Sequence, residues 1–394
     1  MAKVLQVCFV ALAVSLLSAE DPEVKMNARQ IILYNGYPEE DHWAVTTDGF
    51  ILGMQRIPRG KNSDPSPTPR PVVFLQHGLL CASTNWIDNL STGSLAFLLA
   101  DAGFDVWLGN VRGNTYSTNH THLKPSQTEF WAWSFDEMAL YDLPAMLGYV
   151  MNHTNQSSLY YVGHSQGTVM AFAGFSRNPQ LGSHVKAVFA LAPVATLKDV
   201  KGLTRLLAPI EPELQIVFGK KDFLPSDFII KLAARQLCDL DLIDTVCGDV
   251  IFIICGFDRS NLNMTRLPVY LSHTPAGTSV RNMGHFAQEV NSGKFQMYNY
   301  GNAAANRAHY HQDTPPLYDV TAFNVPIYAY SGGNDWLADQ TDVASLLPQL
   351  PHLKGHRFYP TYQHLDFIWG ENAPADVYMD IIANITKIEA RSFV

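Results

Sequence analysis

Short runs rich in apolar residues alternate with amphipathic stretches along most of the chain, and this alternation predicts its secondary structure. Apolar runs lie at residues 72–75, 105–108, 159–162 and 185–191. Runs of this length, separated by helical patterns, are typical of buried parallel strands that helices connect. The pattern therefore predicts an α/β fold, with a mostly parallel central sheet and helices on both of its faces.

Two local signals mark the ends of predicted elements. Asp48-Gly49 lies between two segments in which apolar and polar residues alternate, and this dipeptide is typical of a β-hairpin. Ser134 and Glu137 have the spacing of a capping box, which predicts a bent helix over residues 135–151. The sheet is therefore expected to begin with an antiparallel pair, and the helix to cover one of its faces.

The alternation of strands and helices stops after residue 194 and resumes with an apolar strand at residues 325–330. Helices and loops are predicted for the segment between them, which indicates an inserted helical cap domain. A last strand at residues 356–359 and a closing helix at residues 373–388 complete the predicted core. The expected domains are a first core part, the cap and a second core part, at residues 20–194, 195–318 and 319–394.

Residues 1–19 have the pattern of a secretory signal peptide, because Lys3 precedes an apolar run over residues 4–17 and small residues lead to Ala19. A membrane span requires about 20 apolar residues, so we expect cleavage; a retained membrane anchor is the alternative. The predicted location is the secretory pathway, with an extracellular or lysosomal destination. Six N-x-S/T sequons agree with this route, and they begin at Asn89, Asn119, Asn152, Asn155, Asn263 and Asn384.

Charge and cysteine content narrow the classes of function. The formal net charge is −9 and no basic tract is present, which argues against nucleic acid as a partner. Cys8 leaves with the signal peptide, and Cys81 is expected to be a small buried residue. Cys238, Cys247 and Cys255 lie close together in the chain, where an oxidising compartment favours one short-loop disulfide and one spare thiol.

The most informative motif is Gly-His-Ser-Gln-Gly at residues 163–167. It lies between an apolar strand and a predicted helix at residues 168–175, which is the setting of a nucleophile elbow. The two glycines remove Cβ atoms where a sharp turn crowds the backbone, so that a serine hydroxyl can be exposed there. Ser165 is therefore the predicted nucleophile, and the alternative is an ordinary glycine-rich turn.

A serine hydroxyl is a weak nucleophile and needs a base, together with an acid that orients the base. Asp335 follows the strand at residues 325–330 and His364 follows the last strand, so both are expected at the sheet edge where the serine lies. Asp339 competes with Asp335 for the orienting role. Asp366 is a weaker rival, because it is expected to cap the final helix.

A tetrahedral intermediate also needs hydrogen-bond donors for its oxyanion. One donor is expected to be the backbone N–H of Gln166, directly after the nucleophile. The other is expected to be the N–H of Leu79, in the loop after the strand at residues 72–75, where Gly78 lets the backbone approach a substrate. The alternative interpretation of this loop is a simple strand-ending turn.

His309, His311 and Asp313 could also suggest a metal site. Alternate residues of a loop rarely converge on a metal without further ligands, and serine–histidine chemistry requires none. We therefore predict no metal and no cofactor. The apolar run at residues 250–254 is expected to be a buried cap helix or, alternatively, part of a lipid-facing rim, and a large cap suits a long apolar substrate.

With these residues placed, the chain resembles the acid lipase family, which contains gastric lipase and lysosomal acid lipase. The resemblance implies an α/β-hydrolase core with a mobile lid inside the cap. It also implies Ser165, Asp335 and His364 as a catalytic triad, with Leu79 and Gln166 as oxyanion donors. It covers nearly all of the mature chain and rests on residues 75–80, 107–114, 163–167, 190–195, 271–279, 332–335 and 364–369.

The resemblance further implies a disulfide between Cys238 and Cys247, with Cys255 as the free thiol. The expected function is a secreted or lysosomal lipase that hydrolyses triacylglycerols, cholesteryl esters or both at a lipid–water interface, with no obligate protein partner. Two alternatives remain open. One is a carboxylesterase for small soluble esters, and the other is a lipase-like lipid-binding protein that has lost catalysis.

Overall fold

A computed structural model describes residues 21–65, 69–202, 205, 208, 219–224 and 260–392. The predicted signal peptide, the apolar run at residues 250–254 and the three cysteines of the predicted cap lie outside the described residues. The core strands, the catalytic candidates and the last part of the predicted cap lie within them.

Among the described residues, nine strands form one central sheet. The strands, in chain order, are β1 Glu40–Val45, β2 Phe50–Ile57, β3 Val72–Gln76, β4 Asp105–Gly109, β5 Asn119–His120, β6 Leu159–His164, β7 Val185–Leu191, β8 Asp222–Phe223, β9 Thr278–Ser279, β10 Ile327–Gly332 and β11 Leu353–Tyr359. The sheet order is β1-β2-β4-β3-β6-β7-β10-β11, with β5 paired to β2, and β8 and β9 form a separate small sheet. The pairs β1–β2 and β2–β4 are antiparallel, and the pairs from β4 to β11 are parallel.

Helices connect the parallel strands and cover the sheet. The α-helices are α1 Ala28–Tyr34, α2 Leu90–Gly93, α3 Leu95–Asp101, α4 Phe135–Glu137, α5 Leu143–Thr154, α6 Gln166–Arg177, α7 Pro179–Gly182, α8 Leu267–His273, α9 Val280–Ser292, α10 Ala303–Tyr310, α11 Gln340–Leu346, α12 Asp366–Trp369 and α13 Met379–Ser392. Two π-helical segments span Met138–Asp142 and Pro374–Tyr378. Strands β3, β4 and β6 are buried along their whole length, which requires cover on both faces of the sheet.

The predicted mostly parallel sheet and its opening hairpin are confirmed. β1 and β2 pair in antiparallel register, and Gly49 in their turn has a φ of 103°, a value that glycine adopts without strain. The four predicted strands of the first core part are present, and their ends differ from the prediction by at most two residues, at β6. The last strand begins three residues earlier than predicted, because Leu353 already pairs with β10.

The predicted helix over residues 135–151 is present but not uniform. The capping box is confirmed, since the Ser134 backbone N–H donates to the Glu137 carboxylate at 2.7 Å. A π-helical segment then separates α4 from α5, and Pro144 lies in the first turn of α5, where a missing N–H is tolerated. The sequence predicted a bent helix, and the π-helical segment before Pro144 is a feature that often accompanies a change in helix direction.

A buried arginine ties the hairpin turn, the loop after β4 and the helical segment before α5 together. The Arg112 side chain is 1% exposed, and its Nε donates to Asp142 Oδ1 at 2.8 Å. Its Nη1 lies 2.7 Å from Asp48 Oδ2, and the guanidinium packs 4.1 Å from the centroid of the Phe50 ring. Burial raises the pKa of Asp142 to about 6, although the guanidinium favours the ionised carboxylate. The arginine is therefore the counter-charge that this buried aspartate requires.

Helices α8, α9 and α10 and strands β8 and β9 lie between β7 and β10, which agrees with the helical insertion that the sequence predicts. Helix α9 contacts the core directly, because the Ser279 hydroxyl donates to the Trp133 carbonyl at 2.6 Å and the His285 ring stacks on Phe135 at 3.8 Å. The division into a cap at residues 195–318 stays a prediction. Within the described part of the chain, no helix is both long and apolar enough to cross a membrane.

Helix α9 carries a buried acid. Glu289 is 0% exposed, and within the described residues neither of its carboxyl oxygens has a hydrogen-bond partner. Burial raises the pKa of Glu289 well above its usual value, and the carboxylates of Asp136 and Asp342 raise it further, while the nearby Gln296 backbone acts in the opposite direction. Burial also raises the pKa of Asp136 to about 6. The folded protein therefore holds the Glu289 proton more tightly than the unfolded chain does.

We expect the Glu289→Gln variant to lose stability less steeply than the natural protein as the pH rises. A group whose pKa is raised in the folded state stabilises the fold fully below its unfolded pKa and loses that contribution as the pH rises through the folded pKa. In that window, one such group costs about 1.4 kcal/mol per pH unit. His285 opposes this trend only in acid, since burial lowers its pKa to about 3 from an ordinary 6.5.

The measurement is the thermal unfolding midpoint between about pH 5 and about pH 8. The matched control is Glu129→Gln, because Glu129 is an exposed acid to which the same chemical change is made. A slope against pH that is the same in Glu289→Gln and in the natural protein would contradict the assignment.

Candidate active site

Ser165 lies in the turn between β6 and α6, and it is partly exposed while its neighbours His164 and Gln166 are buried. Its φ of 53° and ψ of −118° are strained for a residue with a side chain. Hydrogen bonds hold the strained turn on both sides. The Ser165 N–H donates to the Leu191 carbonyl at 3.1 Å, and the Ser165 carbonyl accepts from the Thr168 hydroxyl at 2.6 Å.

The two glycines of the motif are required by close backbone contacts. A Cβ on Gly163 would lie 2.8 Å from the carbonyl carbon of Gly167, which is closer than real Cβ contacts come. A Cβ on Gly167 would collide with the carbonyl oxygen of Gln76, at the end of β3. Gly163 is therefore needed for the turn to close on itself and Gly167 for the turn to pack against β3, which agrees with the reason that the sequence suggested.

The structure brings Asp335 and His364 together. The Nδ1 of His364 lies 2.9 Å from Oδ2 and 3.0 Å from Oδ1 of Asp335, and the two side chains are 3% and 1% exposed. A carboxylate accepts, so Nδ1 carries a proton, and in the neutral ring the lone pair is then on Nε2. Asp335 Oδ1 also accepts from the backbone N–H groups of Leu337 and Ala338, at 2.9 and 2.8 Å. These two backbone hydrogen bonds therefore hold the Asp335 carboxylate in the position from which it orients the His364 ring.

The loops that carry the acid and the base pack directly on each other. The Gly333 N–H donates to the Tyr359 carbonyl at 2.9 Å, and the Asn334 N–H donates to the Tyr362 carbonyl at 3.0 Å. A Cβ on Gly332 would collide with the Tyr362 carbonyl oxygen, so the approach needs a glycine there. This pairing continues the parallel register of β10 and β11 beyond their ends.

The two rival acids have other roles. The carboxylate of Asp339 caps α11 by accepting from the Thr341 N–H at 2.8 Å, and it lies 2.6 Å from the Lys201 ammonium. The sequence suggested that Asp366 caps the final helix, and this prediction is wrong. It is the first residue of the short helix α12, and its Oδ2 accepts from the Gln363 N–H at 2.7 Å, because the chain turns into a separate helix before α13 begins. Neither rival is paired with the base.

His77 orients the loop that carries the predicted oxyanion donor. The His77 Nε2 faces two donors, the Val111 N–H at 3.3 Å and the Asn114 amide nitrogen at 3.1 Å, so it must accept. Its Nδ1 therefore carries the proton and donates to the Gly78 carbonyl at 2.8 Å. Because carbonyl and N–H point in opposite directions across a trans peptide, this bond directs the Leu79 N–H away from His77. Burial lowers the pKa of His77 to about 4, which keeps the ring neutral above that pH.

The inserted segment contacts both predicted oxyanion elements. The Asn282 amide of α9 donates to the Gln166 side-chain oxygen at 2.8 Å. The Ala276 N–H donates to the Leu80 carbonyl at 2.6 Å, directly after Leu79. Gln166 is the first residue of α6, where a backbone N–H has no acceptor within the helix. The Gln166 N–H is therefore one of the free donors that every helix N-terminus presents.

Comparisons with known proteins agree with this geometry. A family model described as an alpha/beta hydrolase fold matches residues 71–371, and one described as a partial alpha/beta-hydrolase lipase region matches residues 28–90. The chain is 53% identical over 367 residues to gastric triacylglycerol lipase of Homo sapiens, an alignment that covers 93% of this chain and 92% of the relative. The chain belongs to the acid lipase family. The resemblance inferred from the motifs is thereby confirmed.

Other relatives and solved structures agree with this family. The chain is 48% identical over 374 residues to human lysosomal acid lipase/cholesteryl ester hydrolase, which covers 95% of this chain and 94% of the relative. A soluble variant of monoglyceride lipase from Saccharomyces cerevisiae has a TM-score of 0.54 at 14% identity and covers 93% of this chain and 97% of its own. The monoacylglycerol lipase of Paleococcus ferrophilus has a TM-score of 0.51 at 14% identity and covers 86% and 99%. These two structures show the α/β-hydrolase fold alone.

Sequence reasoning missed the supporting side chains of this enzyme. His77 and His164 lie within the motifs that the sequence singled out, so their positions were visible but their bonds were not. Asn282 gave no signal, because its contact with Gln166 joins residues that lie 116 positions apart. Such contacts depend on how the inserted segment packs on the core.

The residues of the alternative metal interpretation do not converge. The His309 ring stacks on Tyr300 with centroids 3.6 Å apart, and the Asp313 carboxylate lies 2.5 Å from Arg307. A different cluster at the sheet edge, formed by Glu40, His42 and His153, has ligand atoms within 4.8 Å of one another. There the Arg56 guanidinium already lies 2.7 Å from Glu40, so the acid belongs to an ion pair.

One predicted glycosylation site, Asn89, lies in the interior of the structure. Asn89 is buried, its amide nitrogen donates to the Trp369 carbonyl at 3.1 Å, and its amide oxygen accepts from the Tyr270 hydroxyl at 2.6 Å. Asn89 stays a predicted acceptor, and in the folded enzyme these two hydrogen bonds engage its side-chain amide. Cys81 is buried, as predicted. The other sequons stay predicted acceptors and are exposed or partly exposed: Asn119, Asn152, Asn155, Asn263 and Asn384.

Proposed function

We propose that this enzyme hydrolyses the ester bonds of neutral lipids, triacylglycerols, cholesteryl esters or both, through an acyl-Ser165 intermediate. The observation that carries the proposal is the buried hydrogen bond between Asp335 and His364, at the same sheet edge as the strained serine turn. The substrate class is that of the relatives named gastric triacylglycerol lipase and lysosomal acid lipase/cholesteryl ester hydrolase.

In the proposed reaction, Ser165 Oγ attacks the ester carbonyl while Nε2 of His364 takes its proton. Asp335 stabilises the imidazolium that forms, because its carboxylate already accepts from Nδ1. The imidazolium then gives its proton to the leaving alcohol, and the acyl group stays on the serine. Water, deprotonated by the same nitrogen, releases the fatty acid and restores the free serine.

The backbone N–H groups of Leu79 and Gln166 are the proposed donors to the tetrahedral oxyanion. The position of Gly78 supports this role. A Cβ on Gly78 would lie only 3.1 Å from the Ser165 Cβ, so the loop before Leu79 passes close to the serine. Donors that are held in place before the reaction stabilise charge in the transition state without reorganising. His77 would support the first donor through the Gly78 carbonyl, and Asn282 would support the second through the Gln166 side chain.

We also propose that the enzyme acts at a lipid–water interface after entering the secretory pathway, with an extracellular or lysosomal destination. The predicted signal peptide and sequons support this route, as do the names of the gastric and lysosomal relatives. No cofactor is required, since the proposed chemistry uses only side chains, backbone donors and water.

The substrate class is tested by comparing emulsified triolein and cholesteryl oleate with dissolved p-nitrophenyl butyrate. We expect long-chain turnover per active site to exceed short-chain turnover by about tenfold or more, because binding of the acyl chain contributes to transition-state stabilisation. Activity confined to the dissolved ester would instead identify a carboxylesterase. A natural enzyme that does not react with a fluorophosphonate probe would revive the lipid-binding alternative.

A further inference from the structure

His164, the residue directly before the proposed nucleophile, bonds to the loop that carries the proposed base. Its Nε2 lies 2.9 Å from the backbone carbonyl oxygen of His364, and the two rings have centroids 4.8 Å apart. A carbonyl oxygen can only accept, so the Nε2 of His164 carries a proton and donates it. The bond joins two segments that lie 200 positions apart in the chain.

This is the one hydrogen bond that anchors the His164 ring in the described part of the chain. The side chain is 2% exposed, and its Nδ1 has no hydrogen-bond partner among the described residues. The space beside Nδ1 exists because residue 78 is glycine, whose ideal Cβ would lie 3.1 Å from that nitrogen. Burial lowers the pKa of His164 to about 3, with smaller contributions in the same direction from the His364 and His77 rings, while the hydrogen bond to the His364 carbonyl acts in the opposite direction; the ring is therefore neutral in ordinary conditions. A buried neutral ring with a single hydrogen bond keeps the two segments that it joins at a fixed distance from each other.

The base is therefore held at both of its ends. Its imidazole donates from Nδ1 to Asp335, and its backbone carbonyl accepts from His164. The first bond sets the rotation of the ring, and the second sets how far the backbone lies from the serine turn. Because His164 and Ser165 are consecutive residues, the second bond links the backbone of the base to the residue next to the nucleophile.

We propose that His164 is a positioning residue that sets the distance between the base, His364, and the nucleophile, Ser165. The inference rests on the proposed function, since it concerns the same serine and histidine. Proton transfer needs the serine oxygen and the imidazole nitrogen within hydrogen-bond reach. A displacement of about 1 Å costs about 100-fold in rate, so a loop that is free to shift would reduce turnover even with all triad residues present.

The test compares His164→Leu with His164→Gln. Leucine fills the site but cannot donate, whereas the amide of glutamine places a donor near the position of Nε2. With p-nitrophenyl butyrate, we expect the leucine variant to lose about 100-fold in kcat per titrated active site, with KM changed by less than about twofold. The rate of phosphonylation by a fluorophosphonate should fall in parallel. The glutamine variant should recover to within about tenfold of the natural enzyme.

The matched control is His184→Leu. The His184 Nδ1 lies 2.8 Å from the Ser157 carbonyl, which is the same kind of bond at the opposite end of the sheet. We expect its kinetic constants to be unchanged. Turnover is counted per titrated site, so a smaller folded fraction does not imitate the effect.

Two results would overturn the inference: a leucine variant as active per site as the natural enzyme, or a folded glutamine variant as slow as the leucine variant. If the leucine variant does not fold, His164→Asn replaces it, because the asparagine amide is one carbon too short to reach the carbonyl. Equal turnover of the asparagine and glutamine variants would then reject the role. A fully active Ser165→Ala variant would reject the proposed function itself, so the two failures are distinguishable.

Discussion

Ser165→Ala is expected to lower ester hydrolysis by about 10³-fold to 10⁶-fold, for emulsified and dissolved substrates alike. The substitution removes only the hydroxyl oxygen and keeps the Cβ, so the strained turn and its hydrogen bonds to Leu191 and Thr168 are retained. Without Oγ no acyl intermediate forms. Some activity over water remains, because the oxyanion donors and the substrate-binding surface stay in place.

The matched control for this variant is Ser176→Ala. Ser176 lies in α6, the helix that follows the serine turn, and its hydroxyl donates to the Phe172 carbonyl at 2.5 Å, away from the catalytic candidates. Turnover of the control should equal that of the natural enzyme. The measurement is initial rate with both substrate classes, together with labelling by a fluorophosphonate, which Ser165→Ala should abolish. Turnover of Ser165→Ala at the natural rate would end the proposed mechanism.

Arg112→Met is expected to have the largest effect on stability, a loss of about 3–5 kcal/mol in the free energy of unfolding. Methionine approximates the length of the arginine stem but leaves the Asp142 carboxylate, 0% exposed, without its counter-charge. The deficit should shrink as the pH falls, because burial already raises the pKa of Asp142 to about 6 and a protonated carboxyl needs no cation. Chemical denaturation at about pH 5 and about pH 8 measures both effects.

Arg357→Met is the matched control for the arginine. The Arg357 side chain is 63% exposed, and its Nη2 lies 2.9 Å from Asp380, so an ion pair is removed there without burying a lone charge. Exposed pairs contribute at most about 1 kcal/mol. If Arg112→Met were no less stable than Arg357→Met, the buried arginine would not be the support that its contacts suggest.

The elements that were predictable are those with a local signature. The Gly163 and Gly167 positions follow from the crowding of one sharp turn, and the strand β3 follows from an unbroken apolar run. The proposed triad members Asp335 and His364 could be chosen because each follows a strand of the parallel sheet, and such loops meet at one edge. The parallel order from β3 to β11 was thus enough to bring distant residues together in the prediction.

The features that were not predictable have no local signature. β11 begins at Leu353 rather than residue 356, because this edge strand is largely exposed and carries polar residues that an apolar pattern does not register. The role of Asp366 was misjudged, since the four-residue helix α12 intervenes before the final helix. The bond from His164 to His364 needs a backbone carbonyl at a particular place, and no residue type encodes that. Long-range backbone acceptors are therefore visible only in three dimensions.

The interlocked loops after β10 and β11 have a consequence for the order in which the enzyme becomes competent. A ribosome releases the serine turn about 200 residues before the histidine loop. The proposed nucleophile is therefore expected to be inactive until that loop is made, since its proposed base is not yet in place. We expect hydrolytic activity only after β10 and β11 have docked, because Asp335 and His364 lie in the loops that follow these two strands.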